Sequence, residues 1–206
     1  MIYQIPQQER ILGILTSKTE IKDITKAWIA ITLAFTILLN GTTLNANTAS
    51  IALLAAVTVG TGFLFHELAH KFVAQRFHCW AEFRASDMML LLALFSSLFG
   101  FLFAAPGAVV IDARGTTKKQ NGLISIAGPA TNFLLAGVFI ILLTFVSVTS
   151  FLEQLFQYGA HINVWLGLFN MIPLGPFDGK KIFQWNKLIW GITLVLGIVL
   201  YKTAIL

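Results

Sequence analysis

No charged side chain occurs between Ala27 and Phe65, and only 11% of the 206 residues are charged. That scarcity excludes an ordinary soluble domain, in which about a quarter of the residues carry charge. A single cysteine, Cys79, rules out an internal disulfide and any metal cage built of thiolates. Internal repeats and low-complexity tracts are also lacking, which removes the support a paired-repeat transporter would need. The first 26 residues have no short apolar core followed by small residues, so they do not read as a cleavable signal. They mix Arg10, Lys18, Lys22 and Lys26 with Glu9, Glu20 and Asp23. Beside the apolar runs there is no room for a soluble peptide-binding or regulatory domain.

Hydrophobic length is what the chain has instead. Apolar residues make up 57% of it, and the mean hydropathy is +0.80. Further charge-free windows fall at Met88–Ile111, Gln120–Leu152 and Gln154–Phe177, with a last apolar stretch over Leu188–Tyr201. A spanning helix needs about 20 apolar residues, so the window from Ala27 holds two crossings joined at Asn40-Gly41-Thr42-Thr43. The pattern predicts an all-α polytopic membrane protein with about five to six transmembrane helices and a re-entrant membrane segment. Residues 1–206 form a single membrane-embedded domain on this reading. At the start of the first span, Ser17-Lys18-Thr19-Glu20 matches a capping box, with Glu20 reaching back to the cap.

The net charge of +5 is concentrated between the windows, which is an orientation signal and no sign of nucleic-acid binding. Lys and Arg cluster before Ala27, at Lys71, Arg76 and Arg84, at Arg114, Lys118 and Lys119, and at Lys180, Lys181 and Lys187. The connections Asn40–Ser50 and Ser150–Ala160 carry none. If Met88–Ile111 crossed the membrane, two basic clusters would face outward. If it dips in and returns, every basic loop is cytoplasmic. Gly100 and Pro106-Gly107 supply the breaks for that return, and such backbone is tolerated only where protein or water satisfies it. The segment should therefore line a site.

One apolar run closes on His66-Glu67-Leu68-Ala69-His70. Residues four apart share a helix face, so both imidazoles can reach one metal ion, and Glu67 can take a proton from a water that the ion activates. Groups so costly to place in lipid point to function. Catalytic zinc takes three protein ligands, and the downstream acids are Glu82, Asp87, Asp112, Glu153 and Asp178. Asp87 and Asp112 mark the ends of the re-entrant window, and Glu153 lies at the far end of its helix. Asp178 enters from the face at which the histidine helix exits, after Pro173, Gly175 and Pro176 have broken the preceding helix. Glu82 is the alternative that a thermolysin-like arrangement suggests. Of the other histidines, His78 sits in a polar loop and His161 at the opposite end of its span.

Three motifs then occur in order: HELAH at 66–70, Ala127-Gly128-Pro129-Ala130-Thr131-Asn132, and Asn170-Met171-Ile172-Pro173 leading to Asp178-Gly179. Together they resemble the site-2 proteases, zinc metalloproteases that cut within or beside transmembrane helices. The resemblance covers a core of about residues 49–181. It implies one Zn2+ ion held by His66, His70 and Asp178, with Glu67 as general base and a membrane-embedded β-hairpin between the first two core helices, which Phe101–Ile111 resembles and which should be at least partly extended. It implies further that the partners are a substrate helix of a membrane protein and the lipid bilayer, with the active site towards the cytoplasmic face of the cell membrane. Asn132 and Asn170 are amides in apolar helices. They serve either as interhelical hydrogen-bond donors or as catalytic donors to the substrate backbone or developing oxyanion. A non-cleaving membrane adaptor is the reading from a different class, and the presence of Glu67 argues against it. Gly60 and Gly62 read as sites of close helix approach.

Overall fold

The computed structural model describes residues 9–11, 13–102, 106–146 and 150–205. Ser17 opens helix α1 (Lys18–Asn40) by accepting the Glu20 N–H, half of the capping box the sequence suggests. The other half does not form. The Glu20 carboxylate turns inward and accepts from the Thr16 hydroxyl at 2.6 Å, from the Phe83 N–H at 2.8 Å and from the Lys71 ammonium. Glu20 and Lys71 are both fully buried. A buried cation needs its counter-charge far more than a helix start needs a second cap.

After Asn40 the chain turns at Gly41, whose φ of 75° favours glycine, and enters α2 (Thr48–Ala55). Helix α2, a π-helical turn over Ala56–Gly60 and α3 (Thr61–Arg76) run on as one helix of 29 residues. Trp28 holds the π-turn. Its indole donates to the Ala56 carbonyl at 3.1 Å, and a Cβ on Gly60 would come within 2.7 Å of the same ring. Gly60 is thus a site of close approach, as expected.

Beyond α3, strand β3 (Ala81–Ala85) pairs antiparallel with β4 (Gly107–Ile111), Phe83 opposite Val109. Between them α4 (Asp87–Ser97) packs through Leu90 onto Ala27 and Ala30 of α1. The window Met88–Ile111 is therefore helical at its start and extended at its end. Residues 103–105, within the segment expected to be extended, lie outside the described residues.

A complete capping box, Thr117 with Gln120, starts α5 (Lys118–Phe145). On it Gly122, Ser125, Gly128, Pro129, Asn132 and Ala136 are buried, while Leu134, Val138, Ile141 and Phe145 are exposed. That division gives one face to the protein and one to lipid. Helix α6 (Ser150–Asn170) lies antiparallel to α5, with Gly159 against Phe139 and Gly167 against Phe133. The stretch 150–160, expected as a connection, is the first half of this helix. Its polar Glu153, Gln154 and Gln157 are exposed, while Gly159 and Ala160 pack inward.

The fold closes with α7 (Asp178–Trp185) and α8 (Lys187–Ile205). A hairpin of β1 (Glu9–Ile11) and β2 (Ile14–Thr16) docks on α3, where the Gln75 amide accepts the Leu15 N–H and donates to the Leu15 carbonyl. Two small sheets thus amend the all-α expectation. Three helices among the described residues are long and apolar enough to cross a membrane: Thr48–Arg76, Lys118–Phe145 and Lys187–Ala204. The chain is a mostly helical membrane protein.

Candidate metal centre

Along α3 the buried positions Gly62, His66, His70 and Ala74 follow one another at intervals of four, so they form a single inward stripe. The stripe faces α5, which runs antiparallel to it. His66 meets Asn132, and His70 meets Ile124. The C-terminal end of α3 and the N-terminal end of α5 therefore lie at the same end of the bundle.

The third group arrives from α7. Helix α6 ends at Asn170, and Pro173 and Pro176 have no N–H with which to continue it. The Trp190 indole from α8 takes the Met171 carbonyl at 2.8 Å and fixes the turn. The turn is so tight that a Cβ on Gly179 would sit 2.2 Å from the Met171 oxygen. Asp178, buried in the first turn of α7, then points at the histidines.

His66 Nε2, His70 Nε2 and Asp178 Oδ2 form a near-equilateral triangle with sides of 3.1, 3.0 and 3.3 Å. Ligand atoms around a tetrahedral zinc ion with bonds of about 2.0–2.1 Å stand about 3.3 Å apart, so this donor set fits zinc. Among the described residues it is the one group of three or more such side chains close enough to share an ion.

Each imidazole is oriented from behind by α5. His70 Nδ1 lies 2.7 Å from the Ile124 carbonyl, and His66 Nδ1 lies 2.6 Å from Asn132 Oδ1. Both partners are acceptors, which places the proton on Nδ1 and leaves Nε2 free for a metal. Between those two partners, one helical turn from each, sits Gly128. A Cβ there would lie 2.4 Å from His70 Nε2 and 2.5 Å from His66 Nε2, inside the space an ion would use.

Glu67, beside the first histidine, accepts the Val109 N–H of β4 at 2.8 Å through Oε2. The expected extended segment thus lies against the candidate base. In the antiparallel register Phe83 and Val109 both turn their backbone groups outward, Phe83 to Glu20 and Val109 to Glu67.

The remaining candidates separate. The Glu82 carboxylate is buried on β3 and pairs with Arg84. Asn132 is fully buried and spends both amide hydrogens, on the Gly62 carbonyl at 3.1 Å and on Asn163 Oδ1 at 3.0 Å. Asn170 is half-buried and donates to the Leu166 carbonyl of its own helix. Sequence reasoning missed Asn163, the Glu20–Lys71 pair and the steric part of Gly128. For Gly128 the signal was present, since it stands four residues before Asn132 and four after Ile124.

The sequence model of peptidase family M50 matches residues 54–157, half of the chain. The "Putative zinc metalloprotease MJ0611" of Methanocaldococcus jannaschii is 45% identical over 141 residues, 68% of this chain and 74% of that protein. The "Putative zinc metalloprotease YwhC" of Bacillus subtilis is 31% identical, over 62% of this chain and 66% of its own. The "Putative zinc metalloprotease Rip3" of Mycobacterium tuberculosis is also 31% identical, over 64% of this chain but only 31% of its own. No solved structure matches the chain.

Proposed function

Because the chain belongs to peptidase family M50, the site-2 protease family of zinc metalloproteases, we propose that it hydrolyses peptide bonds in or near transmembrane segments of membrane proteins. The observation that carries this reading is the triangle of His66, His70 and Asp178 with Glu67 beside it, two of whose members lie on a helix apolar enough to cross a membrane. In this account those three residues hold one zinc ion. When bound, zinc supplies Lewis acidity for the scissile carbonyl and for the attacking water. Glu67 takes the proton of that water and passes it to the leaving amide nitrogen. Both steps need a carboxylate near the reacting atoms, and the Val109 N–H holds it in place.

Asn132, with its oxygen and both hydrogens engaged, orients His66 rather than binding substrate. Asn170 keeps one amide hydrogen, with its oxygen, for a substrate backbone or developing oxyanion, since its one side-chain hydrogen bond among the described residues uses the other hydrogen on its own helix. The substrate segment, unwound locally, adds to the outer edge of β4, where Gly107 and Ile111 flank the Val109 contact. Helices α1 and α6 complete five crossings. The segment Met88–Ile111 enters and leaves by the cytoplasmic face, which puts the catalytic groups towards that side of the cell membrane. Residues 49–181 carry the core of this single membrane domain.

The test is reconstitution in liposomes with a single-span substrate, followed by mass mapping of the products. Cleavage within or at the edge of the apolar segment supports the proposal. Cuts confined to soluble loops, or none with zinc bound, would overturn it.

A further inference from the structure

We propose that Asn163 of α6 is a positioning residue for the zinc ligand His66, acting through Asn132. The inference rests on the metal reading above, since it concerns which His66 nitrogen is offered to the ion. Helix α6 supplies none of the three ligands, yet Asn163 and Asn132 are both 0% exposed and bonded to each other.

The direction of every bond in this chain is fixed by backbone carbonyls, which only accept. Asn163 Nδ2 donates to the Gly159 carbonyl at 2.9 Å, so its Oδ1 is the atom facing Asn132. Asn132 Nδ2 donates to the Gly62 carbonyl and to that Oδ1, so its own Oδ1 faces His66 Nδ1 at 2.6 Å. The His66 proton is thereby held on Nδ1, and Nε2 keeps its lone pair. A flip of the Asn132 amide would set its oxygen against two acceptors, Gly62 O and Asn163 Oδ1, and offer an NH2 to His66. The imidazole would answer by moving its proton to Nε2, the nitrogen that must bind zinc. Asn163 supplies one of the two locks against that flip.

The packing is built around this amide. A Cβ on Gly62 would stand 2.6 Å from Asn163 Oδ1, so α3 leaves out a side chain where the Asn163 amide enters. In the low-dielectric middle of a membrane bundle few other partners exist for the hydrogen that Asn132 would lose.

Three variants test the proposal: Asn163→Leu, which keeps the shape and removes both bonds; Asn163→Asp, which when buried and protonated restores an acceptor and a donor; and His66→Ala. The readouts are zinc affinity by chelator competition, the visible spectrum of the cobalt-substituted protein, and the melting temperature of the metal-free form. We expect Asn163→Leu to bind zinc about tenfold more weakly, the lower end for groups behind a metal ligand, with an altered cobalt spectrum and a near-normal metal-free melt. Asn163→Asp should restore both affinity and spectrum. Should the leucine variant not fold, Asn163→Ala takes its place, leaving space rather than bulk. Unchanged affinity and spectrum in the leucine or alanine variant overturns the proposal. Equal losses in the leucine and aspartate variants, following the metal-free melt, overturn it in favour of plain packing. If His66→Ala itself leaves zinc binding intact, the metal reading has failed instead.

Discussion

Adding one methyl group at Gly128 should empty the metal centre while leaving the helix that carries it intact. The new Cβ would stand 2.4 Å from His70 Nε2 and 2.5 Å from His66 Nε2. Restoring ordinary contact requires α5 to move away from α3 by about 1 Å. That shift stretches the bonds from His66 to Asn132 and from His70 to the Ile124 carbonyl, now 2.6 and 2.7 Å, past the range of a hydrogen bond. Loss of one such partner behind a ligand weakens metal binding about 10–100-fold, so both together give about 10²–10⁴-fold, or about 3–5 kcal/mol. If α5 does not move, the methyl fills the ion's space directly, and the outcome is the same. Glycine to alanine otherwise favours a helix by about 1 kcal/mol, so helical content should hold. The control is Gly137→Ala on the same helix, where nothing lies within 4 Å of the added Cβ. Zinc measured against a chelator series, beside far-ultraviolet circular dichroism, decides the matter. Gly128→Ala with wild-type zinc affinity would show that the triangle is not where zinc sits.

Glu20→Ala leaves the Lys71 ammonium buried and unpaired, and should cost about 3–5 kcal/mol, seen as a lower melting temperature in detergent. Glu20→Ala combined with Lys71→Met should recover part of that loss; equal melts for wild type and single variant would contradict a buried pair. Stripping the metal with a chelator should abolish cleavage and added zinc should restore it, whereas full activity in the stripped protein would remove zinc from the reaction. In a Cys79→Ser background, Ala113→Cys should label only from the cytoplasm and Gln154→Cys only from outside. Both positions are exposed, and labelling of position 113 from outside would break the topology.

The sequence showed what depends on local spacing and concealed what depends on tertiary partners. His66 and His70 were legible because the helical period alone puts them on one face. Asp178 was legible because two prolines and a glycine announce the break before it. Glu20 was half legible: its N–H caps on Ser17 as the spacing requires, but its carboxylate answers to Lys71, 51 residues away. Asn163 carried no local signal, being one amide in an apolar helix whose meaning comes from Asn132. Strand β3 went unseen because its five residues pair with a partner beyond an intervening helix. The 150–160 stretch read as a connection because Glu153, Gln154 and Gln157 look like loop residues. They are the outward face of a helix whose other side packs on α5.

The function proposed above has His66, His70 and Asp178 hold zinc and Glu67 move the proton. Glu67→Gln separates these roles, since the amide keeps the shape of the side chain, removes no ligand and cannot accept a proton at neutral pH. Zinc content and cleavage of a membrane substrate, measured on one purified preparation, test it most directly. Wild-type zinc content and no cleavage are expected. Retained cleavage would show that another group is the base, and loss of zinc would show that Glu67 belongs to the metal site.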